Sequence, residues 1–148
     1  NVLTSLLFGA SRLGIDVSVA TPVGYEPPSD VLEIAFRFAQ EHNSQIEIGH
    51  NPKIAVRGAD VIYTDVWTSM GQEAEKEQRL RVFPPYQVNA ALLAEAKPDV
   101  IVMHCLPAHR GEEITDEVAD GPHSVLWDQA ENRMHAQKAV LAVLLANK

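Results

Sequence analysis

Val100-Ile101-Val102-Met103 is an unbroken apolar run, preceded by Pro98 and Asp99 and closed by His104. A run with no polar alternation, bounded by a turn signal, is what a strand covered on both faces needs, and such strands belong to parallel sheets. Parallel neighbours require long crossover connections, usually helical. The rest of the chain supplies them, because short β-branched runs alternate with amphipathic stretches. The expected strands are Asp16–Ala20, Gln45–Gly49, Val61–Thr64, Val100–His104 and Ser124–Trp127. The expected helices are Leu3–Leu13, Asp30–Glu41, Gln87–Glu95 and Ala130–Leu145. In the second helix Val31, Ile34, Ala35 and Phe38 recur at helical spacing, and Asp30 with Glu33 suits an N-terminal capping pair. Residues 139–145 are apolar almost all round, so that helix calls for something to cover it. The helix at 3–13 is odd in having no strand ahead of it. The chain also opens at Asn1 without an initiator Met, and reads as a piece of something longer.

Size and charge narrow the function. The chain has 148 residues, 46% apolar and 22% charged, which are ordinary values for one globular domain and exclude disorder. Twelve basic against twenty acidic residues leave a net charge of −8, the wrong sign for an extended nucleic-acid surface. No apolar run is long enough to span a bilayer, and no signal-peptide pattern opens the chain. A single cysteine, Cys105, rules out an internal disulfide and favours a reducing, cytoplasmic setting. With no repeat and no linker, one domain over 1–148 is the economical expectation.

Several local patterns invite chemistry, each with a bland alternative. Gly9 and Gly14 suggest a phosphate loop, but no GxGxxG or GxxxxGK[ST] pattern is present; close packing and a helix end account for them. His104, Cys105, His109, Glu112 and Glu113 crowd ten residues, yet the histidine spacing does not put both on one helical face, so no metal is expected. His42, His50, His123 and His135 read as surface or ordinary polar positions. Cys105 and His104 are adjacent at a strand end and therefore point to opposite sides, which prevents a direct thiol–imidazole dyad. The position of His104-Cys105-Leu106-Pro107 is more telling, because ligands in open α/β sheets sit at the carboxyl ends of strands. A buried structural cysteine before a turn is the other reading. Asp65 ends the preceding strand, and Val66-Trp67-Thr68-Ser69-Met70-Gly71 after it could form a pocket wall and a flap; an acidic helix cap is the alternative. Asp128 and Arg133 follow the last strand, where a surface ion pair is the usual fate of an arginine.

Taken together, residues 65–71, His104-Cys105-Leu106-Pro107 and Asn132-Arg133-Met134-His135-Ala136-Gln137-Lys138 resemble the ornithine carbamoyltransferase family. The likeness runs from Asn1-Val2 through Ala20-Thr21-Pro22 and Gly24-Tyr25-Glu26-Pro27 to the last helix. The Ser-Met-Gly and His-Cys-Leu-Pro segments are specific at this separation; either alone would not be.

The resemblance implies a doubly wound, mostly parallel, Rossmann-like three-layer α/β/α domain, the C-terminal ornithine-binding half of a two-domain enzyme. Its substrates would be L-ornithine and carbamoyl phosphate, giving L-citrulline and phosphate, with no cofactor and no metal. The parent would be a homotrimer or higher, with no nucleic-acid or membrane partner. Residue by residue, Asn1, Asp65, Ser69 and Met70 match ornithine contacts, Asp65 through its carboxylate to the ammonium. Cys105 and the Leu106 carbonyl match groups beside the carbamoyl amide and the reacting amine, and Arg133 matches a contact to the carbamoyl oxygen. Asp65, Cys105 and Arg133 would then carry the catalysis, and Leu106–Pro107 falls at a cis-proline position. Two departures stand out. The family's phosphate-gripping Ser-x-Arg-Thr segment has no counterpart, since Ser11-Arg12-Leu13 does not match. The family's domain also begins with a central strand that this chain lacks. A related transcarbamylase with another amine acceptor, and a non-catalytic amino-acid-binding module, remain as alternatives.

Overall fold

In a computed structural model, which describes residues 1–68, 71 and 73–146, the alternation folds as strands and crossover helices. In chain order these are α1 (Val2–Arg12), β1 (Val17–Ala20), α2 (Ser29–His42), β2 (Ile46–Gly49), α3 (Pro52–Ala55) and β3 (Val61–Thr64). After them come α4 (Lys76–Val82), α5 (Ala90–Leu93), β4 (Ile101–His104), α6 (Asp116–Ala119) and α7 (Leu126–Ala146). Single 3-10 turns lie at Glu73–Glu75 and Pro84–Tyr86.

The strands form two parallel pairs. β1 pairs with β2 in the register Val17↔Ile46, and β3 with β4 in the register Val61↔Ile101. Among the described residues nothing pairs with the other edge of β1 or of β3. Both strands, together with Asn1 and the start of α1, line one cleft of about 910 Å³. The two halves carry separate cores. Leu7, Val19 and Ala35 pack α1 and α2 onto β1. A larger cluster around Ile62, Val100, Val102, Ile114 and Leu126 fills the β3–β4 half.

Local chemistry explains the element ends. Asn1 accepts the Val2 amide at 2.7 Å and caps α1. Gly14 follows that helix at φ +72°, where a β-carbon would meet the His42 carbonyl at 3.2 Å, so glycine suits the turn sterically as well as conformationally. Gly9 differs from the close packing expected of it, since a β-carbon there would meet nothing within 4 Å.

Three expectations need correction. Residues 124–127 do not form a strand: Ser124 makes one bridge to Val102, and the chain turns into α7 at Leu126, which is buried on its first turn. The helix expected over Gln87–Glu95 shrinks to α5, because Val88 is drawn into a rung with Ile114, giving its carbonyl to the Thr115 amide. Asn89 then restarts the helix by capping the Leu92 amide at 3.0 Å. Helix α2 begins at Ser29 after Pro28, with no side-chain cap bond, so Asp30 sits inside the first turn and not at the cap. Asp30 there still favours the positive end of the helix dipole. The apolar end of α7 is exposed, with Val140, Leu141, Leu144 and Leu145 more than half accessible.

Candidate functional site at the ends of β3 and β4

Because β3 and β4 are parallel and in register, their carboxyl ends emerge side by side, and the next residues of each, Asp65 and Cys105, meet. The Cys105 thiol donates to Asp65 Oδ1 at 2.9 Å, and the same oxygen accepts the Val66 amide at 2.7 Å. Burial and then the hydrogen bond to Asp65 push the thiol pKa up to about 12. Cys105 is therefore a neutral thiol at physiological pH, unlike the low-pKa thiolates that act as nucleophiles. Asp65 also lines the cleft shared by β1 and β3, as do Asn1, Tyr63 and Trp67.

The chain leaving β4 makes an abrupt turn. Leu106 has φ +55°, unusual for a branched side chain, and the Leu106–Pro107 peptide is cis. His104 turns inward, opposite to Cys105. Its ring is 1% exposed and its Nε2 lies 3.1 Å from Glu113 Oε1, itself 0% exposed. His104 Nδ1 accepts the Leu106 amide at 2.8 Å. Burial raises the Glu113 pKa, but bonds from His104 and from the His109 amide outweigh it and leave the carboxyl below its ordinary range. On the other side the His104 amide donates to Gln129 Oε1 at 2.9 Å, and Gln129 Nε2 donates to the Tyr63 hydroxyl at 3.0 Å.

The segment after Asp65 is fixed at its near end. Arg79 Nη1 donates to the Trp67 carbonyl at 2.8 Å and its Nε and Nη2 bind Glu75. Its guanidinium lies 5.0 Å from the Tyr25 ring centroid, a cation–π distance. Phe83 meets Tyr25 edge to face and lies tilted against Trp67. The Tyr86 hydroxyl reaches the Thr21 and His50 carbonyls, at 3.0 and 2.6 Å, tying this segment to the ends of β1 and β2.

The residues singled out from sequence therefore fall into four groups. Asp65, Cys105 and Leu106 come together at the strand ends, and Asn1 lines the same cleft as Asp65. Arg133 lies on the exposed part of α7 and makes no hydrogen bond or ion pair with another described residue. Ser69 and Met70 lie outside the described residues. His109, Glu112 and Glu113 bring one ligand atom each within 4.8 Å of one another. Glu113 Oε1 is already held by two donors, and His109 and Glu112 are a half-exposed ion pair at 3.8 Å, so the trio reads as a turn staple. Sequence reasoning missed Tyr63, Arg79, Gln129 and the His104–Glu113 pairing.

The arrangement offers a carboxylate on one wall of a cleft, bonded from behind by a neutral thiol, with irregular backbone beside them. It suits binding an alkyl ammonium and orienting a neutral electrophile, with no covalent step on the protein. The family described as aspartate/ornithine carbamoyltransferase, Asp/Orn binding domain, matches residues 1–144. The ornithine carbamoyltransferase of Pyrococcus abyssi is 60% identical over 145 residues, covering 98% of this chain and 46% of its own length. The solved structure of the Pyrococcus furiosus ornithine carbamoyltransferase superposes with a TM-score of 0.91 at 60% identity, over 96% of this chain and 45% of that one. An acetylornithine transcarbamylase complexed with acetylcitrulline is similar at 31% identity, TM-score 0.84, over 96% of this chain and 43% of that one. The chain thus spans about half the length of the relatives it matches.

Proposed function

The chain belongs to the aspartate/ornithine carbamoyltransferase family, and from that premise we propose that it is the ornithine-binding part of an enzyme making citrulline from ornithine and carbamoyl phosphate. The observation that carries this reading is the Asp65 carboxylate, facing a cleft at a strand end and hydrogen-bonded to the Cys105 thiol of the neighbouring strand. An ornithine δ-amine resembles a lysine amine, with an unperturbed pKa near 10.4, and attacks only when neutral. Asp65, Asn1, Ser69 and Met70 would hold the amino acid, and the uncharged thiol would orient the δ-amine without competing for its proton. The amine nitrogen bonds to the carbonyl carbon, an oxyanion forms and is stabilised by Arg133, and as it collapses the bond to phosphate breaks, the amine's proton passing to the departing phosphate. Leu106 would present its carbonyl to the carbamoyl amide.

On this reading the remaining donors for carbamoyl phosphate come from another half of the protein, while a further strand of this same domain would lie between β1 and β3, leaving the strand-end part of the cleft, where Asp65 stands, for the substrate. The unpaired edges of those strands support this, since exposed parallel edges are otherwise a liability. A cytoplasmic homotrimer is the accompanying expectation, to be checked by light scattering and fractionation. A second reading, in which the acceptor is the free δ-amine of an ornithine acylated at its other nitrogen, is kept because of the acetylornithine relative.

Colorimetric citrulline assay of the full-length protein tests the proposal, with ornithine, acetylornithine and aspartate offered in parallel. Turnover with ornithine alone is expected. Preference for acetylornithine would move the assignment to the second reading, and silence with all three would sink both. Residues 1–148 assayed alone are expected to form no citrulline; turnover there would place the phosphate site within them.

A further inference from the structure

Nothing in the mechanism above uses His104 or Glu113, yet these are the two largest polar side chains buried in the molecule. Sinking a carboxylate and an imidazole together is unfavourable unless both are matched, and two apolar residues would fill the space more cheaply. Their bonding suggests why they are there. The Leu106 amide can only donate, so His104 Nδ1, which accepts it at 2.8 Å, carries no proton. The ring proton then sits on Nε2 and is given to Glu113 Oε1, 3.1 Å away. Glu113 thereby fixes the tautomer and the ring orientation, and the ring in turn fixes Leu106 in the left-handed conformation that it would otherwise avoid. Glu113 Oε1 also accepts the His109 amide, so one carboxylate gathers both the ring and the returning chain of the turn. Glu113 Oε2 is buried with no partner, so charge on this residue is tolerated only because Oε1 is so well served. From the opposite side Gln129 holds the His104 amide, and through the Tyr63 hydroxyl it reaches the surroundings of Cys105.

We infer that His104 and Glu113 are positioning residues, a neutral imidazole oriented by a buried carboxylate, which together set where the Leu106 carbonyl and the Cys105 thiol stand. The inference rests on the carbamoyl-transfer reading of the site. Neither residue lines the cleft, and both act through the backbone of 104–106.

Asparagine and glutamine separate the two nitrogens of the ring. In His104→Asn the amide oxygen falls near the Nδ1 position and can still accept the Leu106 amide. In His104→Gln the amide nitrogen falls near Nε2, keeping a donor for Glu113 but abandoning Leu106. Both variants are made in the full-length protein, with Glu113→Gln, and kcat, both KM values and the Tm are measured on folded enzyme. His104→Gln is expected to lose roughly 10–100-fold in kcat, with the KM values changed much less, because a displacement of about 1 Å costs that much. His104→Asn is expected to keep kcat within about fivefold although its Tm falls, since Glu113 Oε1 loses the ring donor, and Glu113→Gln, which preserves an acceptor at Oε1, to keep kcat likewise. Equal losses in Asn and Gln, tracking Tm, would overturn the inference, as would wild-type kcat in folded His104→Gln. Should His104→Gln fail to fold, His104→Asn against Glu113→Leu carries the same contrast, with Leu expected to be slower and the reverse order overturning it. Absence of citrulline formation by the wild type would instead defeat the reading of the site.

Discussion

The β1–β2 half and the β3–β4 half are built on the same parallel strand pair, but they differ in what surrounds it. The first has a small core of Leu7, Val19 and Ala35, bordered by the cleft, and its polar contacts are caps and turn bonds such as Ser44 to the Ser11 carbonyl. The second has the larger core and holds every buried or strongly shifted ionisable group near the strand ends, among the described residues. A site made of a desolvated thiol, a carboxylate and a buried imidazole needs rigid surroundings, because each group is costly if it loses its partner. Chemistry has settled in the half that can hold it still.

The largest effect expected from this contrast is on packing. Ile114→Ala in the larger second core should cost about 4 kcal/mol, whereas Leu7→Ala in the smaller first core, with fewer buried neighbours to lose, should cost nearer ~2 kcal/mol. Denaturation of the full-length protein, with hydrogen exchange resolving the two strand pairs, measures both. Equal costs would break the comparison.

Asp65→Asn comes next. Asparagine Oδ1 can still accept from Cys105 and Val66, so the fold should stay while the charge opposite the substrate ammonium disappears. We expect kcat/KM for ornithine to fall by about a hundredfold, the value of a charged hydrogen bond lost in a desolvated site, with Tm nearly unchanged. Unchanged kinetics would remove Asp65 from the site.

Cys105→Ser should be milder, about tenfold in kcat, because a hydroxyl can also donate to Asp65 and no carbamoyl-thiol intermediate is needed. A carbamoyl-thiol adduct trapped during turnover and seen by mass spectrometry would contradict this. In the wild type, burial and the Asp65 bond hold the thiol pKa at about 12, above its unfolded value. The proton is thus bound more tightly in the folded state, so its contribution to stability is complete below about pH 8.5 and is lost as pH climbs toward 12. Cys105→Ser should flatten that alkaline decline. Alkylation by iodoacetamide at pH 8 should be slow for the same reason, and faster in Asp65→Asn.

The smallest effect should come from Arg110→Ala. Arg110 bonds Asp116 and Asp120 at the surface of the second half. Exposed pairs of this kind contribute little, and that loss should vanish in high salt. A larger loss would mean that this half depends on its surface as well as its core.

Much of this contrast could be read in the sequence, and the reasons for the gaps are local. Strand β3 occupies Val61–Thr64 as expected, and β1, β2 and β4 each begin one residue late, because continuous apolar runs bounded by turns are strong signals. Helices α3 and α6 have four residues each, too few for any periodicity to register. Residues 124–127 have a strand's composition, but a single rung to Val102 satisfied it and helix propensity took over at Leu126. Asp65 and Cys105 were findable from position alone, as residues one step past neighbouring parallel strands. The His104–Glu113 bond was not, since nothing in the spacing shows that a left-handed residue at 106 folds the turn back onto β4. Glu113 instead looked like one more acid in a crowded stretch.

The two strand pairs also differ in the length of chain that each must close. Register partners are 29 residues apart in β1–β2, as in the Asp16–Gln45 bond, and 40 apart in β3–β4, as in the Asp65–Cys105 bond. The entropy of closing the longer loop exceeds that of the shorter by only about 0.3 kcal/mol, since the cost grows with the logarithm of length. That is too little to decide which pair assembles first. The order of assembly during folding should therefore follow the strength of each core, and the β3–β4 pair, with the longer loop, should form ahead of the shorter one.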